Sequence, residues 1–307
     1  MNDTSIDLTI VGSIGIDTIE TPSERREDVL GGSASYAAAA AAFFCRPGMT
    51  GVVGSDFPCE FLERWKTMGI DLEGLQTVEG KTFRWSGVYE DNMDNRRTLS
   101  TELNVFETFS PELPERYRAA PYLFLGNIHP ALQLHVLEQV RDSRFILIDT
   151  MDLWIEVDRE ELCKVVGKCD MLTLNESEAR LLSGEEGLLR AARALLDLGP
   201  KFVLIKKGGN GSMLVSRDGL FLLPAYPLES FKDPTGAGDS FAGGLMGALA
   251  ASGRTDETAI RRAMVAGTVA ASFGVEMFGL DRLAEIGRSD LEERTEAFDR
   301  IRCVEAS

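Results

Sequence analysis

Short apolar segments alternate with longer helical segments through most of this chain, and that alternation restricts the fold more than any other feature. The apolar segments are rich in Leu, Ile, Val and Phe: Leu8–Gly12, Tyr122–Gly126, Phe145–Asp149 and Met171–Leu174. Helical patterns such as Ser33–Phe44, Ala131–Arg141 and Glu160–Lys168 separate such runs. Because strands buried on both faces read as continuous apolar runs, the pattern predicts an α/β fold with a parallel sheet and helices on both of its faces.

A second β pattern interrupts this rhythm. Thr82–Tyr89 and Arg97–Leu103 alternate polar and apolar residues around Asp91–Asn95, which predicts a hairpin. We place this hairpin in a small sheet that projects beyond the main one. It carries three arginines that are either ligand contacts or solvated surface charges: Arg84, Arg96 and Arg97.

The stretch from Phe231 to Ala250 combines a glycine-rich loop with the start of an apolar helix. Gly236 and Gly238 permit close approaches that a Cβ would block, and the first helical turn offers unpaired N–H groups and the positive end of the helix dipole. Such a turn binds anions. Asp239 lies in it, either as a favourable partner of the dipole or as a base that takes a proton from an attacking hydroxyl, while the amides from Gly236 through Ala237 to Asp239 hold phosphate.

Two glycine motifs give the chain a family resemblance. Asp233-Pro-Thr-Gly-Ala-Gly-Asp239 resembles the C-terminal signature of the ribokinase-like (PfkB) carbohydrate and nucleoside kinases, with seven positions matching in order. Gly31-Gly32-Ser-Ala-Ser-Tyr-Ala resembles the N-terminal di-glycine motif of the same family. The resemblance runs from Ile10 to about Leu283. It implies one kinase domain over residues 1–307, with a three-layer α/β/α fold, a mostly parallel central sheet and a small β-lid contributed by about 14–32 and 81–105.

The resemblance also implies an activity: transfer of the γ-phosphoryl group of ATP to a hydroxyl of a sugar or nucleoside, with Asp239 as general base. Sugar and nucleoside stay open at this point. Tyr36 and the lid aromatics Phe83, Trp85 and Tyr89 either stack on a base or form the core of the lid. The alternative is a non-catalytic sensor or regulatory protein on the same fold. Such a protein would be expected to lose the base or the anion cradle, the glycine-rich turn at Gly236–Asp239. Both are present here.

For the acceptor, the resemblance assigns Asp17 to substrate hydroxyls and Gly31-Gly32 to substrate positioning. Asp17 follows the first strand, at the edge where open α/β sheets bind ligands. The structural alternatives are a turn-forming Asp and a tight loop. Many sugar kinases of the family have Asn at the position of Tyr36, so the tyrosine ring either stacks on the substrate or walls it off. Asn127 also lies at a strand end and is a candidate contact.

For the nucleotide and its magnesium, Asn175-Glu-Ser-Glu178 resembles the N-x-x-E motif that organises Mg²⁺ in this family, often through water. The same residues also suit a helix start capped by Asn175. Gly208 and Gly211 match a turn that bounds the nucleotide site, and the neighbouring Lys207 either reaches a phosphate or is solvated.

The resemblance suggests a monovalent cation as well. Asp233 and Thr235, together with the loop Ser272–Gly279, match residues that hold a cation such as K⁺ in relatives, and Thr235 also borders the nucleotide site. The family's lid sheet can pair between subunits, which makes a homodimer an open expectation.

Composition excludes some classes of function. A net charge of −17 argues against a general nucleic-acid binder, whose affinity comes from Lys and Arg. Met1–Thr9 lacks a basic segment followed by an apolar run, and the longest apolar stretch, Ala37–Phe44, is too short to span a bilayer. Five cysteines without a C-x-x-C pair indicate reduced thiols. We therefore expect a cytoplasmic protein with no membrane partner.

Two other glycine patterns predict nothing further. Gly74 and Gly80-Lys81-Thr82 imitate a phosphate-binding P-loop, but the spacing is one residue too long and no strand precedes it. Gly236-Ala-Gly-Asp-Ser-Phe241 begins like a dinucleotide fingerprint, yet Phe241 replaces the third glycine.

His129 and His135, six residues apart, are expected on different helix faces and so make a poor metal site.

Overall fold

The computed structural model describes residues 5–90, 93 and 96–302. Its strands, in chain order, are β1 (Leu8–Val11), β2 (Gly15–Glu20), β3 (Arg25–Gly31), β4 (Pro47–Gly54), β5 (Leu75–Val78), β6 (Phe83–Tyr89), β7 (Arg96–Glu102), β8 (Tyr122–Leu125), β9 (Phe145–Asp149), β10 (Met171–Asn175), β11 (Phe202–Lys206), β12 (Ser212–Ser216) and β13 (Leu220–Leu223).

The α-helices that pack against these strands are α1 (Ser33–Ala41), α2 (Cys59–Thr67), α3 (Glu115–Arg118), α4 (Pro130–Gln139), α5 (Asp152–Val157), α6 (Arg159–Val166), α7 (Glu176–Ser183), α8 (Leu188–Leu196), α9 (Ala237–Ser252), α10 (Glu257–Gly274), α11 (Asp281–Glu285) and α12 (Arg288–Arg302). Short 3₁₀ turns lie at Asn104–Thr108 and Gly208–Asn210.

The main sheet has the strand order β13-β12-β11-β10-β9-β8-β1-β4-β5 within the described residues. From β11 to β5 every neighbouring pair is parallel, whereas β12 and β13 join in antiparallel pairing at one edge. The carboxyl ends of the parallel strands therefore meet along one edge of the sheet, which is where ligands bind in open α/β folds.

Side chains of the central strands divide between two hydrophobic cores. In β8, Tyr122 and Phe124 pack into the core that includes α1, α9 and α10. The alternate residues Leu123 and Leu125 pack into the core on the opposite face, with residues of α6, α7 and α8. Because successive side chains of a strand point to opposite faces, this division places helices on both sides of the sheet. The predicted three-layer α/β/α fold with a mostly parallel sheet is confirmed.

A separate four-stranded sheet has the order β3-β2-β6-β7. Strands β2 and β6 pair in parallel, and β3 and β7 flank them in antiparallel pairing. Both segments assigned to the lid, about 14–32 and 81–105, supply strands to this small sheet. The connecting turn Asp91–Asn95 lies outside the described residues apart from Met93. That the sheet acts as the lid of a single domain stays a prediction.

Two predicted details were wrong. The alanine-rich helix ends at Ala41 rather than Phe44, because the amides of Phe44 and Cys45 both bond back to the carbonyl of Ala41 and the chain then turns into β4. His129 does not lie on a helix face: it precedes α4 and caps it, its Nδ1 accepting from the amide of Ala131 at 3.2 Å.

A helix both long and apolar enough to cross a bilayer is absent from residues 5–90 and 96–302.

Candidate active site

Three adjacent parallel strands end in polar residues at the same edge of the main sheet: Asp149 on β9, Asn175 on β10 and Lys206 on β11. Asn175 and Lys206 are directly paired in register. The ammonium of Lys206 donates to Asp149 Oδ2 at 2.6 Å, and the Asp149 side chain is 5% exposed. This edge of the sheet therefore carries a buried ion pair.

Helix α9 begins over this edge. Gly236 is its N-cap residue and has φ of 72°, a left-handed conformation that glycine adopts without strain. A Cβ on Gly236 would also overlap the ring of Tyr36. The amide of Ala237 donates to the carbonyl of Pro234 at 3.2 Å. The next N–H groups of the first turn have no carbonyl acceptor within the helix, so they suit an anion. The backbone conformation and the packing thus both require glycine at position 236, where the predicted anion-binding turn begins.

Asp239 lies in the first turn of α9, partly buried. Burial and the nearby carboxylate of Asp149 raise its pKa to about 6, although Lys206 and Arg96 act in the opposite direction. A carboxylate with this pKa is ionised at neutral pH and is a better proton acceptor than an ordinary aspartate.

Asp17 occupies β2 of the small sheet and is 4% exposed. Its Oδ1 has no hydrogen-bond partner among the described residues. Burial, with smaller contributions from the carboxylates of Asp233 and Asp239, raises its pKa to about 8. Gly31 lies against this carboxyl group, and a Cβ at Gly31 would overlap Oδ2. The first glycine of the di-glycine motif therefore makes room for the carboxyl group of Asp17.

Gly32, the second glycine, is the N-cap residue of α1 and has φ of 94°. A Cβ there would overlap the backbone of Ser13. Four residues later, Tyr36 is 2% exposed, and its hydroxyl has no hydrogen-bond partner among the described residues. Its ring packs beneath Gly236, so Tyr36 forms a wall between α1 and the loop before α9.

Asn127 uses both ends of its side-chain amide within the protein. Its Nδ2 lies 3.0 Å from Met151 Sδ, and its Oδ1 accepts from the indole N–H of Trp154 at 2.8 Å. In this structure the side chain fixes helix α5 to the end of β8; its predicted role in substrate binding stays a prediction.

Asn175 and Glu178 form a capping box at the start of α7. Asn175 Oδ1 accepts from the amide of Glu178 at 2.9 Å, and Glu178 Oε2 accepts from the amide of Asn175 at 2.7 Å. Burial raises the pKa of Glu178 to about 7, while the Lys206 ammonium opposes that shift. The helix-cap interpretation is confirmed, and the magnesium role stays a prediction.

The turn after β11 has the glycines that the sequence indicated. Gly208 and Gly211 have φ of 52° and 86°, and a Cβ on Gly211 would overlap the carbonyl oxygen of Leu223. The backbone amide of Lys207 closes the turn on the carbonyl of Gly211 at 2.8 Å. It is the preceding residue, Lys206, whose side chain reaches the start of α9. Sequence reasoning singled out Lys207 and missed Lys206.

Asp233 ties two loops together. Its Oδ1 accepts from the amide of Thr235 at 2.9 Å, and its Oδ2 accepts from the amide of Gly279 at 3.4 Å. The side chain is nearly fully buried, and burial raises its pKa. The amide of Lys232 donates to the carbonyl of Val275 at 2.8 Å. The two segments proposed for a monovalent cation are therefore held side by side.

The chain belongs to the pfkB family of carbohydrate kinases, whose model matches residues 5–276. It is 32% identical over 249 residues to the cytidine kinase of Thermococcus kodakarensis, covering 78% of this chain and 87% of that protein. The nucleoside kinase of Methanothermobacter thermautotrophicus is 27% identical over 255 residues, covering 78% of this chain and 81% of that protein. Ribokinase from Giardia lamblia has a similar fold, with a TM-score of 0.81, 19% identity and coverage of 96% and 100% of the two chains.

The chain is thus an ATP-dependent phosphotransferase that acts on a hydroxyl group of a sugar or nucleoside. The predicted family and class of enzyme are confirmed, and the comparisons do not favour the sensor alternative. The residues present fit the phosphates of a nucleotide, since a left-handed glycine, N–H groups of a first helical turn and an ammonium group converge at the start of α9.

Proposed function

We propose that this chain is a nucleoside kinase in which Asp239 takes the proton from the acceptor hydroxyl. The observation that carries the proposal is the position of Asp239 in the first turn of α9, beside amides suited to phosphate and with its pKa raised to about 6. A base must lie within reach of both the hydroxyl and the phosphoryl group it attacks, and its pKa should be near the operating pH.

On the acceptor side, the unpaired Oδ1 of Asp17 supports a role in binding a hydroxyl group. A buried polar atom without a partner is unfavourable, and an acceptor hydroxyl would supply that partner. Gly31 and Gly32 support the same assignment because they leave space around Asp17 and at the start of α1.

On the nucleotide side, the amides of Gly236, Ala237 and Gly238 would stabilise charge on the transferring group. Glu178 and Asn175 would hold Mg²⁺, partly through water, because this ion keeps several waters and takes few protein oxygens. Magnesium supplies charge neutralisation of the phosphates when bound. Lys207, Gly208, Gly211 and Thr235 border the remainder of the nucleotide in this proposal.

The acceptor class rests on the relatives rather than on the lid. The two relatives reported above are a cytidine kinase and a nucleoside kinase. The lid aromatics do not carry the assignment: Phe83 packs on Phe106 with ring centroids 5.5 Å apart, and Tyr89 is buried with Ile19 and Phe278. Trp85 packs against the same cluster as Tyr89, so all three lid rings belong to the protein's own packing.

Two further predictions concern assembly and ions. Every residue of β7 is exposed, which supports a homodimer formed through the small sheet. The buried carboxylate of Asp233 supports a monovalent cation such as K⁺. Sedimentation measures the first, and turnover in matched K⁺ and tetramethylammonium buffers measures the second. We also keep the cytoplasm as the proposed location.

The experiment is a measurement of acceptor-dependent ADP release with Mg-ATP across a panel of nucleosides and sugars. We expect turnover with nucleosides, and Asp239→Asn should lower kcat by about 10²- to 10⁴-fold, the usual range for loss of a general base. The control is Asp256→Asn, the same substitution at the N-cap of α10, where asparagine still caps the helix. Turnover with sugars alone would exclude the nucleoside assignment, and normal turnover by the Asp239 variant would exclude the base.

A further inference from the structure

We propose that Lys206 is a catalytic residue whose ammonium contacts the γ-phosphoryl group of ATP at the first turn of α9. This inference rests on the proposed function in one respect, namely that the transferring group lies at that turn. No sequence motif identified this lysine, and the pairing of strands brings it to the site.

The first argument is the approach of the Lys206 side chain to α9. A Cβ built on Gly238 would lie 3.2 Å from Lys206 Nζ and 3.5 Å from its Cδ. The lysine therefore lies against the backbone of the first turn, in space that any larger residue at position 238 would crowd. Glycine at this position lets the ammonium lie beside the space that an anion bound to these amides would occupy.

The second argument is that the ammonium is held in place. Asp149 Oδ2 accepts from Lys206 Nζ at 2.6 Å, and the two side chains are 5% and 19% exposed. A lysine fixed by a buried carboxylate loses little further side-chain freedom when it contacts a ligand. Asp149 is thus a positioning residue that orients Lys206 toward α9.

The third argument is the charge of the surroundings. The carboxylates of Asp149, Glu178 and Asp239 all interact electrostatically with the Lys206 ammonium. Three acidic groups around one cation would repel the phosphates of ATP, even with Mg²⁺ present, if the cation were removed. A second cation that acts on Asp239 is Arg96, an exposed residue of the small sheet.

The competing interpretation is a structural ion pair that stabilises the strand ends without contacting ligand. The two interpretations differ in one measurable respect. A contact with the γ-phosphoryl group strengthens the binding of a nucleoside triphosphate but not of a diphosphate, whereas a structural ion pair affects both equally.

The experiment compares the binding of ADP and of the non-hydrolysable ATP analogue AMPPNP, both with Mg²⁺, by calorimetry. We expect Lys206→Met to weaken AMPPNP binding about tenfold or more, to change ADP binding less than threefold and to lower kcat by about 10²- to 10³-fold, as loss of an oxyanion donor does. The matched control is Lys201→Met, which breaks the ion pair with Asp170 at the opposite end of β11 and should change the preference for AMPPNP over ADP less than twofold.

Because Lys206→Met leaves the Asp149 carboxylate buried and unpaired, that variant is also made with Asp149→Asn, which removes both charges. The double variant should show the same selective loss of AMPPNP binding. Asp149→Asn alone should retain part of the preference for AMPPNP over ADP. Equal losses for ADP and AMPPNP, or no loss, would overturn the proposal. This readout needs no acceptor, so an error in the acceptor class or in the role of Asp239 leaves it unaffected.

Discussion

The phenol oxygen of Tyr89 lies 2.9 Å from Oγ1 of Thr235. Tyr89 is the last residue of β6 in the small sheet, and Thr235 directly precedes the left-handed Gly236. The amide of Thr235 is in turn bonded to Asp233, which holds the loop at Gly279. One hydrogen bond therefore links the small sheet to the loop that begins the anion cradle.

The first prediction concerns that link. Tyr89→Phe keeps the ring that packs with Ile19 and Phe278 but removes the hydroxyl. We expect kcat/KM for the acceptor to fall about three- to tenfold, because losing one partly buried hydrogen bond costs about 1 kcal/mol. Steady-state kinetics at saturating Mg-ATP measures the change.

Tyr122→Phe is the matched control for this variant. Its hydroxyl donates to the carbonyl of Arg254 at 3.2 Å, in a contact that involves none of the proposed site residues. Tyr122→Phe should lower the unfolding temperature about as much as Tyr89→Phe does, since each variant loses one hydrogen bond, but it should not change the acceptor kinetics. If both variants have wild-type kinetics, the link between the small sheet and the cradle has no role in acceptor binding.

The second prediction separates the two roles of Glu178. Glutamine also completes a capping box, so Glu178→Gln should leave the unfolding temperature within a few degrees of wild type. The Mg²⁺ concentration for half-maximal activity should rise by about tenfold or more, the usual effect of losing a carboxylate that orients a metal. The control is Glu176→Gln, in the same helical turn. If both variants require the same Mg²⁺ concentration, Glu178 acts only as part of the helix cap.

The fold could be predicted from the sequence because its local signals agree. The apolar runs at Leu8–Val11 and Phe145–Asp149 became parallel strands, and the glycines at 236 and 238 preceded and opened a helix as expected. Such agreement between local preference and global fold is typical of natural sequences. The end of α1 was misplaced because alanine favours helix at every position, so propensity alone gives no stop signal.

The site was harder to predict, because a one-residue shift in a strand changes the face of every side chain. Lys206 and Lys207 are adjacent, and only the register of β11 shows that Lys206 is the last strand residue, paired with Asn175. The contact with Asp149 spans 57 residues of sequence. The available signal was a charged residue ending an apolar strand at the carboxyl edge of the sheet.

The third prediction is the pH dependence of activity. A general base must be ionised to accept a proton, so kcat/KM should rise as pH increases through about 6, the pKa of Asp239, and level off above it. The measurement is a pH profile from 5 to 8 with a nucleoside that turns over. Asp239→Asn should lack this acidic limb, and a limb that persists in the variant would belong to another group.

The fourth prediction concerns stability and follows from Asp17. Its pKa is raised from 3.8 to about 8 in the folded protein, so between these values the folded state binds more protons than the unfolded state. The free energy of unfolding should therefore fall as pH rises through this window, and the neutral carboxyl's contribution is fully present only below about pH 4.

Asp17→Asn removes this titration while keeping the shape of the side chain. The stability of the wild type relative to the variant should decrease by on the order of 2 kcal/mol or more between pH 5 and pH 9, since each unit of pKa shift corresponds to about 1.4 kcal/mol. Urea denaturation of both proteins at pH 5, 7 and 9 measures the difference, and titrations shared by the two proteins cancel. A difference that stays constant across this range would mean that Asp17 is already ionised in the folded state, in which case its unpaired oxygen would accept from an acceptor hydroxyl as a carboxylate rather than as a neutral acid.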